Sequence, residues 1–393
     1  MLCGKGEEPN KTLSFLNLGN NLLSGNIPEC WKHWPDLNFI KLENNNLVGG
    51  IPSSIGQLPA LQSLHLRHNK LSGEPPPALQ NCSFLRILDL SENRFTGSIP
   101  PWMGNALLHL VVLNLRSNNF WGDLPYELCR LSSLQILDIA CNNILGHVPR
   151  CFANFSAMAE IKDNLGGNLY YGNRPYSIKA EQSYFQDNAF LVAKGRDVEY
   201  STTLELVKSM DLSGNKLSGR IPEELTKLVR LWSLNLSSNH LTGRIPGNIG
   251  DMRQLESVDF SLNQLSGEIP SSMSSLSFLS HLNLSYNNLT GTIPSSTQLQ
   301  SMTESSFLGN KLCGPPLPSC KLNKTIPLNV VPRGSDEGEG FSEALFFASI
   351  ALGFAVGFWV VLGPLLFKRS WRIAYFRVIE DIWNKVRDFS FEC

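Results

Sequence analysis

The sequence predicts an α/β solenoid, in which short parallel strands stack along one face of a coiled chain. Two observations predict it. The template LxxLxLxxNxLxGxIP recurs ten times in 393 residues, and successive copies lie 24 or 25 residues apart with one longer step. Within each copy the leucines alternate as they do on a strand, and a glycine and a proline follow. We expect each unit to supply one strand and one turn of irregular or 3₁₀ structure, and stacking to bury the leucines.

Each position of the template has a physical reason. In one copy, Leu234 and Leu236 point inward from a strand, and Asn239 follows where the strand turns. The asparagine amide can satisfy backbone groups that the bend leaves inside the solenoid. Gly243 permits unusual backbone angles, and Pro246 begins the convex side without needing a donor. The asparagines of the ten copies are Asn21, Asn45, Asn69, Asn93, Asn118, Asn142, Asn215, Asn239, Asn263 and Asn287.

These spacings predict a horseshoe of about ten leucine-rich repeats interrupted by an island. The step from Asn142 to Asn215 is 73 residues, which is about three periods in which the template is missing. The predicted parts are a truncated leader (1–12), repeats one to six (13–151), the island (152–206), repeats seven to ten (207–296) and a C-terminal cap (297–322). No apolar signal segment and no polar capping unit precede the first repeat, so we expect a truncated gene product or a fragment of a longer protein.

A transmembrane helix is predicted after the cap. Residues 344–367 contain no charged side chain, and as a helix they would be about 36 Å long, against a hydrocarbon core of about 30 Å. An acidic juxtamembrane segment (323–343) precedes them, and the tail (368–393) begins with Lys368 and Arg369. The positive-inside rule then places the repeats outside the cell and the tail in the cytosol. The sequence predicts a single-pass type I protein of the plasma membrane.

Composition and motifs argue against catalysis and against nucleic acid as a partner. The net charge of −1 provides no basic surface for nucleic acid. The seven histidines show no HExxH spacing, and the sequence contains neither a GxxxxGK[ST] loop nor the HRD and DFG motifs of kinases. The cytosolic tail is too short for a kinase domain. We therefore predict no enzymatic activity, no cofactor and no metal site.

Sequons and cysteines fit an extracellular position. Seven Asn-x-Ser/Thr sequons precede the predicted helix, as glycosylation in the secretory pathway requires, at Asn10, Asn81, Asn154, Asn235, Asn283, Asn288 and Asn323. The sequence LNLS is also the repeat consensus, so many of these sites can stay unmodified. Three disulfides are predicted, Cys313–Cys320 in the cap and Cys129–Cys151 and Cys3–Cys30 flanking repeats, although spacing alone does not determine connectivity.

Two surfaces are candidates for ligand binding. The strand face of repeats two to five carries a varied row, in contrast to the serine, asparagine and aspartate of later repeats, and its candidates are Phe39, Lys41, Glu43, His65, Arg67, His68, Asp89 and Arg116. The island holds five of the eight tyrosines, and Tyr and Arg are enriched in binding surfaces. Its candidates are Tyr170, Tyr171, Tyr176, Tyr184, Lys194, Arg196 and Tyr200. Alternatively, the charges are merely solvated and the aromatic side chains only pack the island onto the solenoid.

The combination of features resembles a known family. LSGxIP repeats, the island segment KGRDVEY at 194–200, the cap sequence GNKLCGPPL, an acidic juxtamembrane run, one span and a short basic tail resemble plant leucine-rich-repeat receptor-like proteins, of the type that acts as a receptor for fungal ethylene-inducing xylanase. The resemblance implies detection of extracellular, mostly microbial, proteins or peptides and signalling in plant defence through a partner receptor kinase. A developmental peptide receptor and a secreted inhibitor of cell-wall-degrading enzymes stay as alternatives.

Two contacts with kinases are predicted. Gly353 and Gly357 form a GxxxG pair that allows close approach of a second helix in lipid, and the resemblance implies an adaptor leucine-rich-repeat receptor kinase as the partner there. The resemblance also places a co-receptor kinase at the C-terminal repeats.

Overall fold

A computed structural model describes residues 13–159, 170–171, 185–193, 196–201, 203–204 and 206–320. The alternating leucines form ten short parallel strands, one in each repeat, which pair in chain order to make the concave sheet. The solenoid of stacked parallel strands is therefore confirmed. The strands are Phe15–Asn17, Phe39–Lys41, Ser63–His65, Ile87–Asp89, Val112–Asn114, Ile136–Asp138, Ser209–Asp211, Ser233–Asn235, Ser257–Asp259 and His281–Asn283.

A second layer of short parallel strands follows the turn in each repeat. Its six-stranded part comprises Ser24–Asn26, Asn46–Gly49, Lys70–Gly73, Arg94–Ser98, Asn119–Asp123 and Asn143–Leu145. Its five-stranded part comprises Ser218–Arg220, His240–Gly243, Gln264–Gly267, Asn288–Thr292 and Lys311–Cys313. The template glycines allow the bend, since Gly243 has a φ of 79°.

Short helices form the convex side. The 3₁₀ segments are Trp31–His33, Ser53–Gln57, Pro77–Asn81, Tyr126–Arg130, Arg150–Asn154, Glu223–Lys227, Ile249–Asp251, Ser271–Ser275 and Glu304–Phe307. The α-helices are Trp102–Ala106, Ser156–Ala159 and Thr297–Ser301. Most of the 3₁₀ segments follow the template proline, whose missing N–H is no loss at a helix start.

The template asparagines hold successive turns together. Asn239 Nδ2 donates to the carbonyl oxygens of Leu212, Leu236 and Ser237 at 3.0–3.2 Å, and its Oδ1 accepts from the N–H of Leu217 at 2.9 Å. The amide thus satisfies four backbone groups from two turns of the solenoid. Asn310 in the cap makes the same set of bonds, so the ladder continues one turn beyond the ten predicted repeats.

The island leaves the solenoid between two paired strands. Ile136 pairs directly with Ser209, so repeats six and seven stack on each other across the insertion. Phe152, Phe155 and Met158 are fully buried in the leucine core. Residues 152–159 thus pack with the repeats, and the exact bounds of the island, 152–206, stay a prediction. Removing 160–208 would leave the asparagine step at 24 residues, like its neighbours.

The described part of the island consists of two antiparallel strand pairs. Tyr170–Tyr171 pairs with Phe185–Gln186, and Ala189–Ala193 pairs with Arg196–Tyr200. We call the second pair the island hairpin. Its strands have five residues each and are joined by five residue pairs, whereas the strands of the concave sheet have three residues each.

Two of the predicted disulfides are present. Cys129–Cys151 and Cys313–Cys320 have Cα–Cα distances of 5.6 Å and 5.1 Å, which suit the bond. Cys30 is disulfide-bonded, and Cys3, its predicted partner, lies outside the described residues. The predicted span at 344–367 and the segments around it also lie outside the described part of the chain. Among the residues that are described, no helix is both long and apolar enough to cross a membrane.

Candidate functional site

The island hairpin packs on the concave sheet. Ala189 and Leu191 alternate on its first strand and are buried against Ile87, Val112 and Ile136. These three residues share one register position on three neighbouring strands of the sheet. These three apolar side chains therefore face the island. Their burial against Ala189 and Leu191 is the hydrophobic contribution to docking.

A buried ion pair joins the island to repeat three. His65 Nε2 lies 2.9 Å from Asp187 Oδ1, and both side chains are at most 1% exposed. Ser63 Oγ lies 2.8 Å from the same imidazole nitrogen. Burial lowers the pKa of His65, but the charge and hydrogen bond of Asp187 outweigh it, with help from Asp89 and Glu43, and the pKa lies above 6.5. Burial raises the pKa of Asp187, yet the charge and hydrogen bond of His65 outweigh burial and lower it.

A second polar contact joins the island to repeat two. Lys41 Nζ donates to Asn188 Oδ1 at 3.0 Å and lies 2.8 Å from Glu43 Oε1. The amide nitrogen of Asn188 donates to Glu199 on the second strand of the hairpin. Lys41 and Glu43 are buried together, and pairing is what makes buried charge tolerable. Asn188, which immediately precedes the first strand of the hairpin, therefore links the sheet to the second strand.

Arg67 supplies a third contact. Its guanidinium lies 4.3 Å from the centroid of the Phe190 ring, within the range of a cation–π interaction. Its Nε donates to Glu92 at 2.9 Å, and His68 Nδ1 lies 2.8 Å from the other oxygen of that carboxylate. Burial raises the pKa of Glu92, but the hydrogen bond of His68 and the charge of Arg67 together lower it to about 2.

Arg116 bridges repeats on either side of the insertion. Its Nη1 lies 2.9 Å from Asp211 Oδ2 and 3.4 Å from Asp138 Oδ2. Burial raises the pKa of Asp138 to about 7, although Arg116 opposes the shift and Asp211 adds to it. Across the described ranges, no group of three or more His, Cys, Asp and Glu side chains is placed to hold a metal ion.

The sequence-predicted residues fall into four groups. Seven strand-face residues are buried or largely buried in this structure: Phe39, Lys41, Glu43, His65, Arg67, Asp89 and Arg116. His68 is exposed, with 66% of its side chain accessible. Tyr200 is partly buried against the cluster under the hairpin, and Tyr170, Tyr171 and Arg196 lie on island strands. Tyr176, Tyr184 and Lys194 lie outside the described residues. Ligand contact by these residues stays a prediction.

The residues that dock the island escaped the sequence reasoning. Asp187, Asn188 and Phe190 make the contacts with repeats two and three, whereas the sequence predicted the tyrosines as the island's candidates. The sequence signal at this place is the continuous apolar run Ala189–Ala193, which is typical of a buried strand.

The sequons differ in accessibility. Asn81, Asn154 and Asn288 are exposed, whereas Asn235 and Asn283 are partly buried on the concave sheet. Asn235 Nδ2 donates to Asp211, and Asn283 Nδ2 donates to Asp259, each at 3.3 Å. Asn10 and Asn323 lie outside the described ranges. Glycosylation at all seven sites stays a prediction.

The stacked strands and the asparagine ladder define a leucine-rich-repeat protein, and the family comparison agrees. A leucine-rich-repeat model matches residues 40–95, and a second matches 12–34, 109–131, 133–155, 206–228, 230–252, 254–276 and 278–299. Together these ranges cover more than half of the chain. The chain belongs to the leucine-rich-repeat family.

Two relatives from tomato, Solanum lycopersicum, are more specific. The chain is 52% identical to receptor-like protein EIX2 over 238 residues and 52% identical to receptor-like protein EIX1 over 240 residues. Each match covers 59% of this chain and 23% of the relative. The chain is thus similar to plant receptor-like proteins and spans about a quarter of their length.

Solved structures with the same solenoid serve different functions. A plant ice-binding protein superimposes with a TM-score of 0.59 at 28% identity, covering 79% of this chain and 84% of that one. The Arabidopsis receptor kinase HAESA, in complex with the peptide hormone IDA and the co-receptor SERK1, has a TM-score of 0.55 at 27% identity, covering 78% and 51%. The solenoid alone therefore does not decide what the protein binds.

Proposed function

We propose that the chain acts as a cell-surface receptor-like protein of plants. It binds an extracellular microbial protein or peptide and signals in defence through a partner receptor kinase. The observation that carries the proposal is the docked island hairpin. A buried contact from Asp187 and partly buried contacts from Asn188 and Phe190 hold this non-repeat element in one place on the concave sheet. A binding element that is already ordered loses less entropy when a ligand arrives. Similarity to two receptor-like proteins supports the class.

The island supplies the part of the surface that differs from a plain solenoid. Deleting 160–208 joins Ala159 directly to Ser209, as Trp232 joins Ser233 in the following repeat. Met158 then occupies the core position that Leu231 fills in that repeat, since both are fully buried. The variant keeps the whole leucine core and removes only the island. It therefore separates ligand recognition from folding.

The test measures binding of purified fungal xylanase, together with a panel of secreted microbial proteins, to the full chain and to the Δ160–208 variant. Matched circular dichroism spectra control for folding. We expect the full chain to retain a ligand from this panel and the deletion variant to lose it. Equal retention by both chains would contradict a role for the island, and no retention of any panel member by the full chain would contradict the microbial ligand class.

The C-terminal repeats offer a surface for a co-receptor kinase. Leu262 and Tyr286 are about half exposed, and both have a φ of 54°. Bulky residues rarely adopt this left-handed conformation, and the same position in repeat eight holds Ser238. Leu308 is also half exposed, and its carbonyl accepts from the N–H of Tyr286 at 2.7 Å. Exposed apolar groups next to each other favour contact with another protein.

Replacing Leu262 and Tyr286 with serine tests that surface. Serine occupies the position in repeat eight, so the fold tolerates it. We expect co-purification with a co-receptor kinase from plant membranes to fall at least tenfold while retention of the ligand is unchanged. A matched variant carries Phe84→Ser and Phe278→Ser, which remove two exposed aromatic side chains elsewhere. Undiminished co-purification would place the kinase contact elsewhere.

The alternative functions have their own discriminating measurements. A developmental peptide receptor is favoured by the likeness to HAESA bound to a peptide hormone, and a panel of endogenous plant peptides tests it beside the microbial proteins. A secreted inhibitor of cell-wall-degrading enzymes would be found in the soluble fraction and not in the membrane fraction. Fractionation of a tagged full chain separates that class from an anchored receptor.

A further inference from the structure

A cavity of about 430 Å³ opens at the edge of the island hairpin. The hairpin contributes Leu191, Val198 and Tyr200 to its lining, and the solenoid contributes Val207 and Trp232. We call this cavity the island-edge pocket. Its volume lies within the range of ligand-binding clefts in proteins, roughly 300–1,000 Å³.

A change of residue size along one row of the sheet creates the pocket. The register position held by Val112 and Ile136 continues into Ser209, Ser233 and Ser257 on the next three strands. The large residues fill the space under the hairpin, whereas the three serines leave the space beyond them open and line it. The serine row, together with Lys208 and Glu256, therefore forms the polar side of the cavity, and Leu191, Val198, Val207, Tyr200 and Trp232 form its apolar and aromatic walls.

The lining determines which chemistry fits. Tyr200 and Trp232 provide two aromatic walls, against which a third ring can stack or lie edge-on. Each serine hydroxyl can donate and accept, and neighbouring strands are about 4.8 Å apart, so an extended backbone crossing the sheet meets repeated partners. Lys208 and Glu256 line the pocket with opposite charges, so it favours neither an anionic nor a cationic occupant.

We propose that the island-edge pocket binds an aromatic side chain of an extended peptide segment of the ligand. This assignment rests on the ligand-binding role proposed above and names the group that the ligand inserts. The aromatic ring contacts Trp232 and Tyr200, and the peptide groups on either side of it lie along Ser209, Ser233 and Ser257. A plain solenoid has no such pocket, because the hairpin supplies one wall.

The test uses a small probe and therefore needs no knowledge of the natural ligand. Binding of N-acetyl-4-fluorophenylalanine amide to the full chain is followed by ¹⁹F NMR line broadening, with N-acetyltryptophan amide and N-acetyllysine amide as competitors. For a probe of this size the expected dissociation constant is on the order of 1 mM. We expect the tryptophan derivative to displace the probe and the lysine derivative to leave it bound.

Three variants locate the site. Ser233→Ile fills the pocket with an isoleucine, the residue type found at the same register position in Ile136. His281→Ile is the matched change, since His281 has the same register position but lies outside the pocket. Trp232→Ala removes a wall without touching the leucine core. We expect Ser233→Ile and Trp232→Ala to weaken probe binding at least tenfold and His281→Ile to leave it unchanged.

The outcomes distinguish this assignment from the proposed function. If the full chain does not bind the probe, or if the Ser233→Ile variant binds it equally well, the assignment of an aromatic side chain to the pocket is wrong, even if the chain retains a microbial protein. Probe binding that Ser233→Ile abolishes supports the pocket even if no protein of the panel is retained.

Discussion

The ion pair between His65 and Asp187 predicts a pH-dependent attachment of the island. The change to make is Asp187→Asn, which keeps the shape of the side chain and removes its charge. Both partners are almost completely buried and their atoms lie 2.9 Å apart. Breaking a buried pair of this kind costs about 3–5 kcal/mol. We take about 3 kcal/mol, because the imidazole can lose its proton rather than stay charged without a partner.

Losing that free energy should shift the equilibrium between the docked and the undocked island towards the undocked state. Three kcal/mol corresponds to a change of about a hundredfold in the opening equilibrium, and native-state hydrogen exchange reports such local opening. The assay is hydrogen exchange with mass spectrometry on peptides covering Ala189–Ala193 in the full chain. Asp251→Asn, an exposed position on the convex side, is the matched control. Exchange in Asp187→Asn at the wild-type rate would refute the reasoning.

The sign of the pH dependence follows from the two shifts. His65 has a raised pKa when docked, so its contribution is complete below about pH 6.5 and is lost as the pH rises through the raised value. Asp187 has a lowered pKa, so its contribution is complete above about pH 3.8 and is lost as the pH falls through the lowered value. When His65 is neutral, Asp187, Asp89 and Glu43 no longer have its positive charge beside them. Lys41 then still pairs with Glu43, and the charge of Arg67 still acts on Asp89. Wild-type protection that increases between pH 6.5 and 9, after correction for intrinsic exchange, would contradict this assignment.

Three further predictions concern other parts of the chain. Deleting 160–208 should leave a folded solenoid with one cooperative thermal transition, and loss of the strand signal in circular dichroism would show that the island is needed for folding. Replacing Cys129 and Cys151 with serine should lower the free energy of unfolding by about 3 kcal/mol, because the disulfide closes a loop with a sequence separation of 22 residues; denaturant unfolding checks this, and Cys82→Ser serves as a control for thiol removal. Replacing Gly353 and Gly357 with leucine should abolish co-purification with an adaptor receptor kinase while surface levels stay constant, and undiminished co-purification would show that the helix is only an anchor.

The repeating part of the fold could be derived from the sequence by itself. The template recurs with a constant step, so each leucine, asparagine and glycine has a role that depends only on its own unit and its neighbours. Asn239 was expected to satisfy backbone groups at a bend, and it bonds four of them. The positions of Cys129 and Cys151 on either side of a repeat likewise predicted their disulfide, which the stacking of adjacent turns brings within bonding distance.

Only the tertiary structure decided where the island lies and what it covers. His65 and Asp187 are 122 residues apart in the chain, and no periodicity links them. Most of the strand-face candidates of repeats two to five are buried, and Lys41, His65 and Arg67 contact the island directly. The island-edge pocket depends on both elements at once. It exists because the row changes from isoleucine to serine at the place where the hairpin ends its cover, and that coincidence is set by long-range packing rather than by any local pattern.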